Sequence, residues 1–233
     1  VIVAIDGPAG AGKSTVARAV ARRLGAGYLD TGAMYRAVTW LALQRGLDLA
    51  DEAALTELAV ANPVLIEPTD DGDLVHVAGV DVTDLIRTPA VSAAVSQVSA
   101  HPGVRAQVVA TQRALLSDGE WVSDGRDVGS VVWPDADLKV FLTASLHERA
   151  RRRREDLAAL GIDLDEERVI ADVRLRDHLD STRAVSPLVV APGAVVVDSS
   201  ELDAEEVADL VVRLVQDVRA GVSAGDDPGE GAG

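Results

Sequence analysis

Gly7-Pro8-Ala9-Gly10-Ala11-Gly12-Lys13-Ser14-Thr15 is the stretch whose residue types and spacing most clearly do chemistry. G-x-x-x-x-G-K-[ST] is the spacing of a phosphate-binding loop, or P-loop. Its glycines let backbone N–H groups turn inward on an anion, and the start of a following helix adds partial positive charge. In that setting Lys13 reaches the terminal phosphates and Ser14 offers a hydroxyl to Mg²⁺. The flanks have the required order. Residues 1–5 are apolar and mostly β-branched, as in a buried parallel strand, and residues 15–24 read as a helix. A glycine-rich turn with no ligand is the alternative, and this order argues against it. A nucleoside triphosphate is the expected ligand.

Three further constellations could serve a second anion. Asp30-Thr31-Gly32-Ala33-Met34-Tyr35-Arg36 places an arginine about one helical turn inside a helix. Arg36 is then either a phosphate holder or a solvated residue on a capped helix. Asp124-Gly125-Arg126-Asp127-Val128-Gly129 suits phosphate and hydroxyl recognition, with Asp124 near the metal, or is a plain acidic turn. Glu148-Arg149-Ala150-Arg151-Arg152-Arg153-Arg154 is a cationic run, followed by a second cluster from Arg174 to Arg183. In the second cluster Arg176, Asp180 and Arg183 fall at i, i+4 and i+7, one helical face. With Gly161 between them, the two clusters read as arms of a hinged flap. Two like charges about 4 Å apart repel by roughly 4 kcal/mol at an effective dielectric near 20. Mg²⁺ and several arginines, whose charge-assisted bonds contribute roughly 1.5–3 kcal/mol each, offset such repulsion. The pattern points to phosphoryl transfer between two anions. A GTPase fits less well, because no Asn-Lys-x-Asp motif is present.

The elements that must hold these residues alternate along the chain. Strand candidates at 1–5, 28–29, 121–123, 138–142 and 195–197 are separated by helix-like segments, which predicts a doubly wound α/β core with a parallel sheet. Ligands in such sheets sit at the carboxyl ends of the strands, where Asp6, Asp30-Thr31, Asp124 to Asp127 and Asp198 would gather. Residues 62–103 break the pattern. Short strands around 64–67, 74–77 and 80–82, with a turn at Asp70-Asp71-Gly72-Asp73, predict an antiparallel insert that leads into a helix near 90–100. The domain is expected over 1–219, with the flap at about 149–183 and a disordered tail at 220–233.

Composition narrows the function further. The 233 residues are 48% hydrophobic and 3% aromatic, so the core must be aliphatic. There are no cysteines for disulfides or thiolate sites, and four scattered histidines argue against zinc. A net charge of −16 disfavours any nucleic-acid polymer as partner, while local arginines still admit a small phosphorylated substrate. No apolar run approaches the roughly 20 residues that span a bilayer, so no membrane partner is expected. No secretory signal is visible, and the expected location is cytoplasmic.

The P-loop, residues 28–36, Ser96-Gln97-Val98, residues 124–129 and residues 176–188 together resemble bacterial cytidylate kinase, in order, from Val1 to about Val215. The resemblance implies a P-loop kinase core with a five-stranded parallel sheet flanked by helices, a small inserted NMP-binding subdomain, and a mobile lid. It implies ATP + CMP (or dCMP) ⇌ ADP + CDP (or dCDP) with Mg²⁺, by a protein expected to be a monomer. Carried over, Thr31, Arg105, Asp127 and Arg183 contact cytosine, and Arg36 and Arg126 hold the CMP phosphate. Ser96, Arg176 and Asp180 surround the 2′ position, Arg176 being held by Asp180. Lys13 and the loop hold ATP, while Arg149, Arg152 and Arg153 are candidates to close on the transferring group. Leu179 and Ser181 stand where some members carry arginines. Two rivals remain on the sequence alone: a P-loop kinase for another small acceptor, and a nucleotide-dependent switch.

Overall fold

A computed structural model of the chain describes residues 1–67, 69 and 73–221. Five strands, β1 (Ile2–Asp6), β2 (Gly27–Asp30), β6 (Trp121–Gly125), β7 (Leu138–Thr143) and β8 (Val195–Asp198), form an all-parallel sheet in the order β2-β6-β1-β7-β8. All five lie where the apolar runs predict. All five run one or two residues further toward the carboxyl end, because their terminal polar residues still pair. Asp6 is in register with Gly125, Asp30 with Asp124, and Thr143 with Asp198. These paired ends bring the polar residues to one edge.

Helices cover both faces. On one side α1 (Lys13–Leu24) and α8 (Ala204–Arg219) pack on each other and on the sheet through Val16, Val20, Val207, Val211 and Val215. On the other side lie α2 (Thr31–Gln44), α3 (Glu52–Ala61), α4 (Pro89–Val98) and α5 (Pro102–Leu116), centred on Met34, Val38, Leu55, Val98 and Val104. Both clusters are almost wholly aliphatic. The three tryptophans, Trp40, Trp121 and Trp133, sit partly buried against the second cluster.

The insert contains the expected antiparallel sheet, with β3 (Leu65–Glu67), β4 (Leu74–Val77) and β5 (Val80–Asp81) in the order β3-β4-β5. Val82 lies just past the last strand and is fully buried. Val75, Val77, Val82 and Ile86 belong to the same cluster as α2, so the insert shares the main core instead of forming its own. The turn residues Asp70, Asp71 and Gly72 and the tail 222–233 lie outside the described residues. The segment expected as a flap is a hairpin of α6 (Leu146–Ala159) and α7 (Glu166–Thr182), which pack through Ala150, Leu157, Val169 and Val173, with Gly161 in the connection. Arg183 falls just past α7, extended at φ −61° and ψ 144°.

Candidate active site

The phosphate loop runs from β1 into α1. Gly12, at φ 87°, is the N-cap of α1, and Gly10, at φ 77°, passes so close to α6 that a Cβ would stand 2.6 Å from the Arg149 carbonyl oxygen. Side chains are disfavoured at both positions. Lys13 is buried, and its Nζ donates to the Pro8 carbonyl at 2.8 Å across the loop. Burial, followed by the nearby Arg126, lowers its pKa to about 7. A phosphate over the loop would reverse that trend.

Beside the loop, Asp124 is buried with both oxygens engaged. Ser14 Oγ donates to one at 2.9 Å and Tyr28 Oη to the other at 2.7 Å. Burial and the neighbouring Asp30 push the Asp124 pKa up. Ser14 and Asp124 form a hard-oxygen pair suited to Mg²⁺, a cation that keeps several waters and takes few protein ligands. No cluster of three or more His, Cys, Asp or Glu that could hold a metal occurs among the described residues. With Lys13 and the loop beside them, the Ser14 and Asp124 oxygens fit a hydrated Mg²⁺ on a triphosphate.

Facing the loop is the second set. Asp30 caps α2, accepting from Ala33 N–H at 2.9 Å, and binds Arg36 Nη2 at 2.6 Å. Burial works against its ionisation, yet Arg36 holds its pKa below the usual value. Thr31 Oγ1 donates to the Asp124 carbonyl at 2.7 Å. Arg105 and Asp127 form a buried ion pair. The Arg105 guanidinium stands 5.0 Å above the Tyr35 ring, and its Nη1 donates to the Ser99 carbonyl at 3.1 Å. Arg183 Nη2 lies 3.7 Å from Asp127, and its Nε donates to the Ser186 carbonyl at 2.6 Å.

Asp180 accepts from Arg126 Nε at 2.9 Å and from Ser96 Oγ at 3.3 Å. The expected Arg176–Asp180 bond is thus replaced by one to Arg126, whose loop reaches the carboxylate from across the cleft. Arg176 stays close by, and burial and Arg126 bring its pKa down to about 10.

The arginines of the α6–α7 hairpin divide. Arg149 is buried, donating to the Ala144 and Ala9 carbonyls at 3.0 and 3.2 Å and pairing with Asp177 at 2.7 Å. Arg152 binds Glu148 at 2.8 Å and the Ser199 carbonyl at 2.6 Å. Arg153 lines the central cleft, a cavity of about 530 Å³ that also touches Lys13, Arg36, Arg126 and Arg176. A second cleft of about 570 Å³ lies beyond the loop, between Gly12, Arg152 and Ser199. Around the central cleft, Tyr35 Oη, Arg36 Nε, Arg105 Nε, Arg176 Nε and Arg183 Nη2 have no hydrogen-bond partner among the described residues.

The Cytidylate kinase family model matches residues 3–217. The chain belongs to the cytidylate kinase family. It is 51% identical over 214 residues to the cytidylate kinase of Pelotomaculum thermopropionicum, covering 91% of this chain and 95% of that protein. To the cytidylate kinase of Mycolicibacterium paratuberculosis it is 52% identical over 217 residues, covering 93% and 95%.

Three residues of this cytidylate kinase family member stand in the site although the motifs assign them no role. Tyr28 pins Asp124, Tyr35 underlies Arg105, and Arg87 lines the cleft. A tyrosine beside an apolar strand residue does carry a signal, since its buried hydroxyl needs a partner.

Proposed function

We propose that the chain transfers the γ-phosphoryl group of ATP to CMP or dCMP, with the donor over the phosphate loop and the acceptor among the facing arginines. The observation that carries this assignment is the set of donors without hydrogen-bond partners on Tyr35, Arg36, Arg105, Arg176 and Arg183, in one cleft with Lys13. Such buried donors are costly, and anionic ligands would satisfy them.

Lys13 and the loop N–H groups would hold the triphosphate, and Ser14 with Asp124 would hold Mg²⁺. When bound, Mg²⁺ supplies charge neutralisation at the β- and γ-phosphates. Arg36 and Arg126 are assigned to the CMP phosphate, and Ser96, Arg176 and Asp180 to the sugar. Thr31, Arg105, Asp127 and Arg183 are assigned to the base. Thr31 donates its hydroxyl proton to the Asp124 carbonyl, so it would face the base as an acceptor. That suits the exocyclic amine of cytosine and not the carbonyl of uracil. The attacking phosphate oxygen is already anionic, so positioning and neutralisation suffice without a strong base. Arg153 would close on the transferring group, and Arg149 would join it by exchanging Asp177 for phosphate. Closure would exclude water.

A coupled ADP-release assay with ATP–Mg²⁺ and CMP, dCMP, UMP or AMP tests the assignment. Strong turnover with CMP and dCMP, weak with UMP and none with AMP is expected. Turnover confined to another acceptor would discard the cytosine site.

A further inference from the structure

Asp6 ends β1 immediately before the phosphate loop, yet its side chain serves the opposite loop. Its two oxygens accept the Val128 and Gly129 N–H groups, each at 2.8 Å. Those groups open the helical turn Val128–Val132, directly after Arg126 and Asp127. The carbonyl of Asp127 in turn accepts from Val131 and Val132 at 2.9 and 3.1 Å, which closes the turn that Asp6 caps.

The arrangement is not the one stability alone would select. Asp6 is 3% exposed, and burial raises its pKa to about 6 despite both backbone bonds. The charged groups facing it are Lys13 and Asp127, of opposite sign. A buried carboxylate kept at a strand end, with its oxygens on the backbone of a substrate loop, fits a role in placing that loop.

We infer that Asp6 is a positioning residue for the acceptor: by holding the Val128 and Gly129 N–H groups it sets Arg126 and Asp127 relative to the phosphate loop. It lies beside the ATP motif and governs CMP. The inference rests on the assignment of Arg126 and Asp127 to the acceptor.

The test is steady-state kinetics of Asp6→Asn and Asp6→Glu, with melting temperatures, beside Arg126→Ala. Asparagine keeps the size but presents an amide donor to one N–H. Glutamate keeps the charge opposite Lys13 and displaces the turn. Misplacement on the order of 1 Å can cost up to about 10²-fold, so a rise of about tenfold or more in KM for CMP is expected, with KM for ATP within about twofold. Equal rises in both KM values would overturn the inference and point to action through Lys13 or general damage. An unchanged KM for CMP would overturn it as well. Should Asp6→Asn fail to fold, Asp6→Glu gives the same decision. If Arg126→Ala leaves the CMP requirement unchanged, the acceptor assignment itself fails. If Arg126→Ala raises it and the Asp6 variants do not, only the role of Asp6 fails.

Discussion

The sheet and the α6–α7 hairpin are packed very differently. The sheet has a continuous aliphatic cluster on each face, whereas the hairpin buries only Ala150, Leu157, Val169 and Val173 in its own cluster. Leu160, Leu175 and Leu179 remain exposed on it. Ion pairs and backbone bonds tie its root in place, notably Arg149 with Asp177 and Arg152 with Glu148. Elements with few buried apolar contacts open at low free energy. The hairpin is therefore the part suited to move, and the strand ends are the part suited to hold still.

Paired substitutions sharpen the contrast. Lys13→Ala, at the strand ends, should lower kcat by more than about 10³-fold, and Arg153→Ala, on the hairpin, by on the order of 10²-fold. Neither should lower the melting temperature by more than a few degrees. Equal losses from both would erase the division between a fixed and a closing set. In the core, Leu142→Ala should cost roughly 2–5 kcal/mol and depress global melting. Leu157→Ala should instead raise hydrogen exchange across α6 and α7 while leaving the sheet protected. Global melting equally sensitive to both would make hairpin and sheet one cooperative unit.

The smallest effect is electrostatic. The folded pKa of Asp6, about 6, lies above the ordinary value of 3.8, so the folded state binds this proton more tightly than the unfolded one. Its contribution is least favourable above pH 6 and improves as pH falls toward 4. The stability of the parent protein relative to Asp6→Asn should therefore increase by about 1.4 kcal/mol between pH 7.5 and pH 5. Denaturant titrations at the two pH values check this, and an opposite sign would contradict the burial of the charge.

Much of the fold was legible because its signals are local. Residues 1–5 and 138–142 are apolar runs of strand length, and the loop motif fixes the turn and the helix after β1. The parts that were not legible depend on partners far apart in sequence. Tyr28 and Asp124 are 96 residues apart, and Asp6 and Val128 are 122 apart. The i, i+4 spacing puts Arg176 and Asp180 on one helical face and the resemblance implies that they pair, but Arg126, 54 residues away, takes the carboxylate. Spacing can reveal a helical face and still not say which of two arginines wins a buried anion.

The placement of the indoles has a spectroscopic consequence. All three tryptophans lie against the sheet cluster, and none occurs in residues 146–182. Ultraviolet emission of the natural protein thus reports on the sheet and is nearly blind to the hairpin. One indole introduced by Leu179→Trp, at an exposed position lining the cleft, would give closure an optical signal over a steady background.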